Sequence, residues 1–149
     1  MLMSSGLIAY LAGLIDGEGY VGVNMQRHDH TRSGYDFAPI VRISLNFELP
    51  ALLAIREQLG FGKVFQSKTR PMASLTFRKR ADVIKMLDLI EPEVRLPSKK
   101  ARLPLVKRIM TILGTYKHLS NEEFAELKQE MIELRRMSKR TKGIKRIWH

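Results

Sequence analysis

Cysteine is absent from the 149 residues, which excludes disulfides and Cys-ligated zinc or iron–sulfur sites. Long hydrophobic runs are absent too. The apolar opening, residues 6–15, is too short to span a bilayer. No basic residue precedes it and it runs into Asp16 and Glu18, which is not the pattern of a secretory signal. Internal repeats and low-complexity segments are missing, so solenoid and fibrous architectures fall away. Acids are scarce: 15 Asp plus Glu stand against 26 Lys plus Arg, a net charge of +11. Such an imbalance favours polyanionic partners and says little about fold. What the chain does have is 44% apolar residues, enough for a packed core. Its length suits one domain over residues 1–149, with a core at 4–90 and C-terminal helices and a basic tail at 98–149. The expectation is a soluble protein whose leading partner is nucleic acid, with no membrane partner.

The charge is uneven. Residues 1–19 hold Asp16 and Glu18 and no base, whereas residues 20–80 hold ten Lys/Arg against four Asp/Glu. Arg135, Arg136, Lys139, Arg140, Lys142, Lys145 and Arg146 close the chain without an acid among them. Such a tail is either a solvated end or a phosphate-contacting segment. Trp148 beside it suggests docking.

Hydrophobic spacing predicts a helix over 4–16, capped by Ser4 or Ser5, with Leu7, Ile8, Leu11, Leu14 and Ile15 as its apolar residues. Residues 20–28 alternate: Val21, Val23 and Met25 point one way and Gly22, Asn24, Gln26 and His28 the other. A second strand follows, with Phe37, Pro39, Val41, Ile43 and Leu45 opposite Arg42, Ser44 and Asn46. Pro50 starts a helix that Gly60 ends. Strands near 62–68 and 72–78 come next. Helices follow at 80–90, with Val83, Ile84, Leu87 and Ile90 inward, near 98–113 and near 120–137; Ser120 and Glu123 form a capping box. The fold class is α+β, an antiparallel sheet with helices on one side. The other face would carry Asn24, Gln26, Arg42, Lys63 and Arg78, side chains able to read base edges.

The first helix is odd for a core helix. Gly6, Gly13 and Gly17, with Ala9 between, form a small-residue stripe, although each interior glycine costs about 1 kcal/mol against alanine. Close approach of another helix backbone would offset this. That helix belongs either to the same subunit or to a second copy. Two carboxylates, Asp16 and Glu18, end the helix against its macrodipole. Carboxylates there suit a hard divalent cation such as Mg²⁺. Two such helix ends side by side would form a template for metal-assisted phosphodiester hydrolysis.

Residues 11–19, LAGLIDGEG, resemble the signature of the LAGLIDADG homing endonucleases. The stretch LLAIREQLGFGKV at 52–64 is similar to that family's helix-to-third-strand segment, and the order of elements matches its αββαββα core. The resemblance implies a saddle-shaped antiparallel DNA-binding sheet and metal-dependent DNA cleavage. It makes Glu18, the eighth residue of the motif, the catalytic and metal-binding acid, with the Gly17 backbone near the metal. It assigns Asp16 to the helix end and the interface. A polar residue at the end of the second strand positions water in the family; here that is Asn46, with Ser44 as the alternative. The family's basic residue falls on Pro97, so Lys99 or Lys100 would reach in from one turn away.

A single motif implies a homodimer, abutting through Ala9, Ala12, Gly13, Asp16 and Gly17, on a long pseudo-palindromic duplex cut to leave 3′ overhangs. DNA contacts would come from Asn24, Gln26, His28, Arg42, Ser44, Lys63, Ser67, Lys68, Arg70, Thr76 and Arg78, and from Lys139, Arg140 and Lys142 in the tail. The register of the third strand stays open: Phe65 faces the DNA side in one, Gln66 and Lys68 in the other. The resemblance further implies Mg²⁺, tolerance of Mn²⁺, Ca²⁺ binding without turnover, and an intron-encoded origin in a prokaryotic cytoplasm or an organelle matrix. An alternative is a maturase that binds intron RNA on the same fold.

Overall fold

The structure is a computed structural model and describes residues 4–27, 35–115 and 120–147. Helix α1 (Ser5–Glu18) leads into strands β1 (Gly19–Arg27) and β2 (Tyr35–Asn46). Helix α2 (Leu49–Leu59), strands β3 (Lys63–Gln66) and β4 (Met72–Phe77) and helix α3 (Arg80–Ile90) follow. Helices α4 (Pro97–Thr115) and α5 (Asn121–Ile147) complete the chain. The fold is α+β. Its four strands are antiparallel in the order β1-β2-β4-β3.

Local chemistry sets the element ends. Ser4 accepts the Leu7 amide at 3.2 Å and caps α1. Pro50 lies in the first turn of α2, and Gly60, at φ 80°, ends it in a left-handed cap. Ser120 and Glu123 exchange the two bonds of a capping box, each 3.2 Å long.

One sheet face carries Val21, Val23, Phe37, Val41, Ile43, Ala73, Leu75 and Phe77, all buried. They join buried side chains of all five helices in a single hydrophobic cluster. Among the described residues no helix is long and apolar enough to cross a membrane.

The structure departs from the sequence expectations in three places. Helix α1 runs two residues further, through Glu18, and α5 continues to Ile147. The basic segment that continues the apolar part of α5 is thus helical in backbone; lysine and arginine are good helix formers without any apolar periodicity. Ile84 is exposed and Met86 is buried with Val83, Leu87 and Ile90. The 3.6-residue period puts position 84 at the margin of that stripe.

Candidate active site and nucleic-acid interface

Glu18 is the last residue of α1 and is exposed; no hydrogen bond or ion pair joins its carboxylate to another described residue. The last turn of α1 holds no basic residue, so nothing within the helix offsets its acids. Asp16 behaves differently. Its two carboxylate oxygens accept the amides of Arg95 and Leu96, at 2.9 and 3.3 Å, and tie α1 to the segment leading into α4. Those bonds tie Asp16 to its own chain at the end of the helix, the helix-end role that the resemblance implies.

The stripe of small residues splits in the same way. Ala12 is fully buried with Leu11 and Ile15 in its own core, so it offers no surface to a second copy. Ala9, Gly13 and Gly17 are exposed. A Cβ at Gly6, Gly13 or Gly17 would meet no atom within 4 Å. The tight contact within one subunit therefore does not exist among the described residues. Gly19 is different: a Cβ there would lie 2.5 Å from Ile15 Cα and 2.7 Å from its carbonyl oxygen. The strand could not leave the helix so sharply with a larger residue.

Helix α4 brings cations to this point. Lys99 Nζ donates to the Gly19 carbonyl at 2.5 Å, directly after Glu18 in sequence. Arg102 Nε donates to the Val21 carbonyl at 2.8 Å, and its Nη1 donates to Leu134 O in α5 at 3.4 Å. Gly19 and Val21, two residues apart, present their carbonyls on one edge of β1, the edge strand. Lys99 and Arg102, three apart, share one helix face. Two side chains thus close an open sheet edge. Burial pushes the Arg102 guanidinium below its ordinary value, with the Tyr20 phenol opposing. Lys100 points elsewhere and is exposed, so of the two lysines it is Lys99 that reaches the end of α1.

Gly19 stands opposite Ile43 in β2, which puts Ser44 and Asn46 one and three residues past that point, at the Glu18 end of the sheet. Asn46 is exposed; Ser44 is half-buried and shares a 2.8 Å hydrogen bond with Ser74 across the strands.

The uncovered sheet face is built in rows. Tyr20, Arg42, Thr76 and Lys63 stand side by side across all four strands, and Ser44, Ser74 and Phe65 form the next row. This pairing settles the third strand: Phe65 is on the uncovered face and 52% exposed. Arg42 and Lys63 are exposed on either side of Thr76. Thr76 itself is only 5% exposed, a correction to its expected DNA contact. Asn24 is exposed on β1 and Arg78 just past β4. The Arg42 guanidinium lies 5.5 Å from the Tyr20 ring centroid and that of Arg102 lies 5.6 Å from it, so one ring braces two cations.

Lys68 and Arg70 are exposed in the β3–β4 loop. Ser67 holds that loop instead of facing outward freely: its Oγ accepts the Thr69 and Arg70 amides at 3.3 and 3.2 Å. Gln66 closes it further by donating to Ser67, Arg70 and Met72 carbonyls. His28 lies outside the described residues, as does Trp148. The backbone of Gln26 belongs to β1, and that of Lys139, Arg140 and Lys142 to α5.

Tyr20, Ser74 and Arg102 escaped the sequence reading. Arg102 carried a signal, since it recurs three residues after Lys99 beside Leu103 and Val106 on the buried face of α4.

Among the described residues no three metal-ligating side chains gather. Glu18 and the Gly17 carbonyl, one of the last four that a helix leaves without an intrahelical donor, suit a hard cation. They fit half of a carboxylate site. Both Asp16 oxygens already accept backbone amides, whereas no bond engages the Glu18 carboxylate among the described residues.

A profile described as LAGLIDADG endonuclease matches residues 11–110. No curated protein matches the chain. Solved structures do. The homing endonuclease I-TnaI is 23% identical with a TM-score of 0.74, over 97% of this chain and 99% of that one. I-CvuI, crystallised with a DNA target in the presence of Mg, is 19% identical with a TM-score of 0.77, over 87% of this chain and 80% of that one. The meganuclease I-SmaMI, bound to uncleavable DNA, is 17% identical with a TM-score of 0.75, over 83% of this chain and 42% of that one. Motif, element order and profile agree, and the chain belongs to the LAGLIDADG endonuclease family.

Proposed function

We propose that this chain is a site-specific double-strand DNA endonuclease of the homing type, one unit over residues 1–149 that acts as a homodimer. The observation that carries the reading is the bare glycine face of α1 ending in Glu18, whose carboxylate is joined to no described residue. Crossing two copies through Gly13 and Gly17 brings two Glu18 carboxylates to one place. Each copy then supplies the acid that the other lacks.

A divalent ion held there by Glu18 and the Gly17 carbonyl would supply Lewis-acid activation of water and of the phosphate. I-CvuI complexes prepared with Mg, where the DNA is not cleaved, and with Ca support divalent-ion use in this fold. By the preference of carboxylate and carbonyl oxygens the working ion here would be Mg²⁺, with Ca²⁺ bound without turnover. Mn²⁺, an oxygen-binding ion of similar preference, should substitute. Asn46 would orient the attacking water from the end of β2. Lys99, its ammonium fixed beside Gly19, would stabilise negative charge developing on the phosphate. Lys100 would contact the backbone from outside.

The row through Arg42 and Lys63, with Asn24 and Arg78, would read a pseudo-palindromic duplex, one half-site per copy. Lys68 and Arg70 would hold phosphates. The acids of the two copies would cut one strand each, leaving 3′ overhangs.

Plasmids with randomised inserts, incubated with Mg²⁺ and sequenced at the cut ends, test the reading. Recovery of one pseudo-palindromic site with 3′ overhangs is expected. No cleavage, with tight binding to intron RNA, would instead favour the maturase.

A further inference from the structure

The turn between β2 and α2 holds the one non-glycine residue with positive φ among the described residues, Phe47 at 63°. Bulky L residues avoid that region, and the chain uses glycine for it elsewhere, at Gly60 and Gly62. Phe47 is also 79% exposed, more than any other large apolar side chain described. Its backbone is nonetheless fixed. The Phe47 amide donates to the Pro71 carbonyl at 2.8 Å, Asn46 pairs with Met72 just before it, and α2 begins two residues later. A flat apolar ring is thus held outward on a rigid, strained support, and neither strain nor exposure is repaid inside the chain.

The position of the ring says what would repay them. Phe47 follows Asn46 at the Glu18 end of the uncovered sheet face. The loop that holds its amide carries exposed Lys68 and Arg70. An aromatic ring among cations, on a chain of net charge +11, fits a nucleobase better than an apolar protein surface.

We propose that Phe47 is a base-stacking wedge: in the DNA complex its ring packs against nucleobases beside the scissile phosphate and unstacks that step, presenting the phosphate to Glu18. Apolar wedges unstack and kink duplexes in this manner. The inference rests on the endonuclease reading and deepens it, adding a positioning residue that sets which base steps are easily cut. Steps that unstack readily, such as TA and CA/TG, should be preferred next to the cut.

The test uses a duplex carrying the site recovered from the randomised library, with 2-aminopurine placed in turn at each base around the cut. Glu18→Gln protein keeps the duplex intact while bound. Fluorescence should rise at one or two positions, and Glu18→Gln/Phe47→Ala should abolish the rise. In the otherwise wild-type chain, Phe47→Ala and Phe47→Gly should cut roughly tenfold to a hundredfold more slowly. Phe47→Trp should restore most of the rate. Phe47→Gly should melt no lower than wild type, because glycine accepts the backbone angle. Leu53→Ala, an exposed apolar residue on α2, should change neither rate nor fluorescence.

Wild-type cutting by Phe47→Ala, an unchanged fluorescence rise, or a lower melting temperature for Phe47→Gly overturns the proposal. So does loss of the dimer in Phe47→Ala, which would make the ring a protein contact. A wild-type chain that cuts no duplex at all overturns the endonuclease reading first and the wedge with it, so the two failures are distinct.

Discussion

Helix α1 has two faces in different surroundings. The face holding Leu11, Ala12 and Ile15 is fully buried in the chain's own core. The other exposes Ala9, Gly13 and Gly17 and would leave room for a Cβ at each glycine. The two acids divide the same way: Asp16 is spent on the Arg95 and Leu96 amides, while Glu18 is joined to no described residue. Composition alone treats these as one glycine-rich, acid-ended helix. Packing separates residues that fill the chain's own core from residues that no described part of the chain requires to be small. Gly19, which Ile15 forces to be glycine, belongs to the first group, and Gly6, Gly13 and Gly17 to the second.

Substitutions on opposite sides of this division should fail in opposite ways. Glu18→Gln should lower cleavage by on the order of a thousandfold or more, because metal-assisted charge stabilisation is worth several kcal/mol. Its melting temperature and DNA affinity should stay near wild type, as calorimetry and gel shifts on the selected site would register. Weakened binding alongside lost cutting would instead make Glu18 part of the binding surface.

Gly13→Leu should convert the proposed dimer to monomers in sedimentation while the monomer stays folded, since no described part of its own chain occupies that space. Ala12→Leu should do the reverse, overpacking the core by about 1–3 kcal/mol without acting on association directly. Asp16→Ala should cost about 1–2 kcal/mol, read in denaturant unfolding, because two backbone amides lose their acceptor.

The smallest effect concerns Lys107, which pairs α4 with the end of α3. Desolvation is the largest single influence and lowers it, but Asp88, 2.6 Å away, and Glu91 together raise it above its ordinary value of 10.5. Because the folded value is the higher one, its stabilisation is complete below the ordinary value and is lost as pH rises through the folded one. The melting-temperature gap between wild type and Lys107→Met should therefore close in strong alkali and persist at neutral pH.

Much of this was legible in the sequence. The nine elements came out in order, because apolar alternation and helical spacing are strong where caps and turns agree with them, as at Ser4, Pro50, Gly60 and Ser120. Glu18 and the glycine stripe stood out because they violate helix preferences. What stayed hidden depends on pairing between distant elements. No local pattern says that Ala12 faces inward, that Asp16 accepts the Arg95 and Leu96 amides, that Phe65 falls in the Ser44–Ser74 row, or that Lys99 and not Lys100 reaches Gly19. The positive φ of Phe47 was likewise invisible, since the bond that holds its amide comes from the Pro71 carbonyl in another loop.

The most direct test is the mass of the complex between wild-type protein and a single duplex bearing its selected site, measured by sedimentation equilibrium. The account predicts two chains on each duplex. One chain per duplex, cutting both strands, would contradict it.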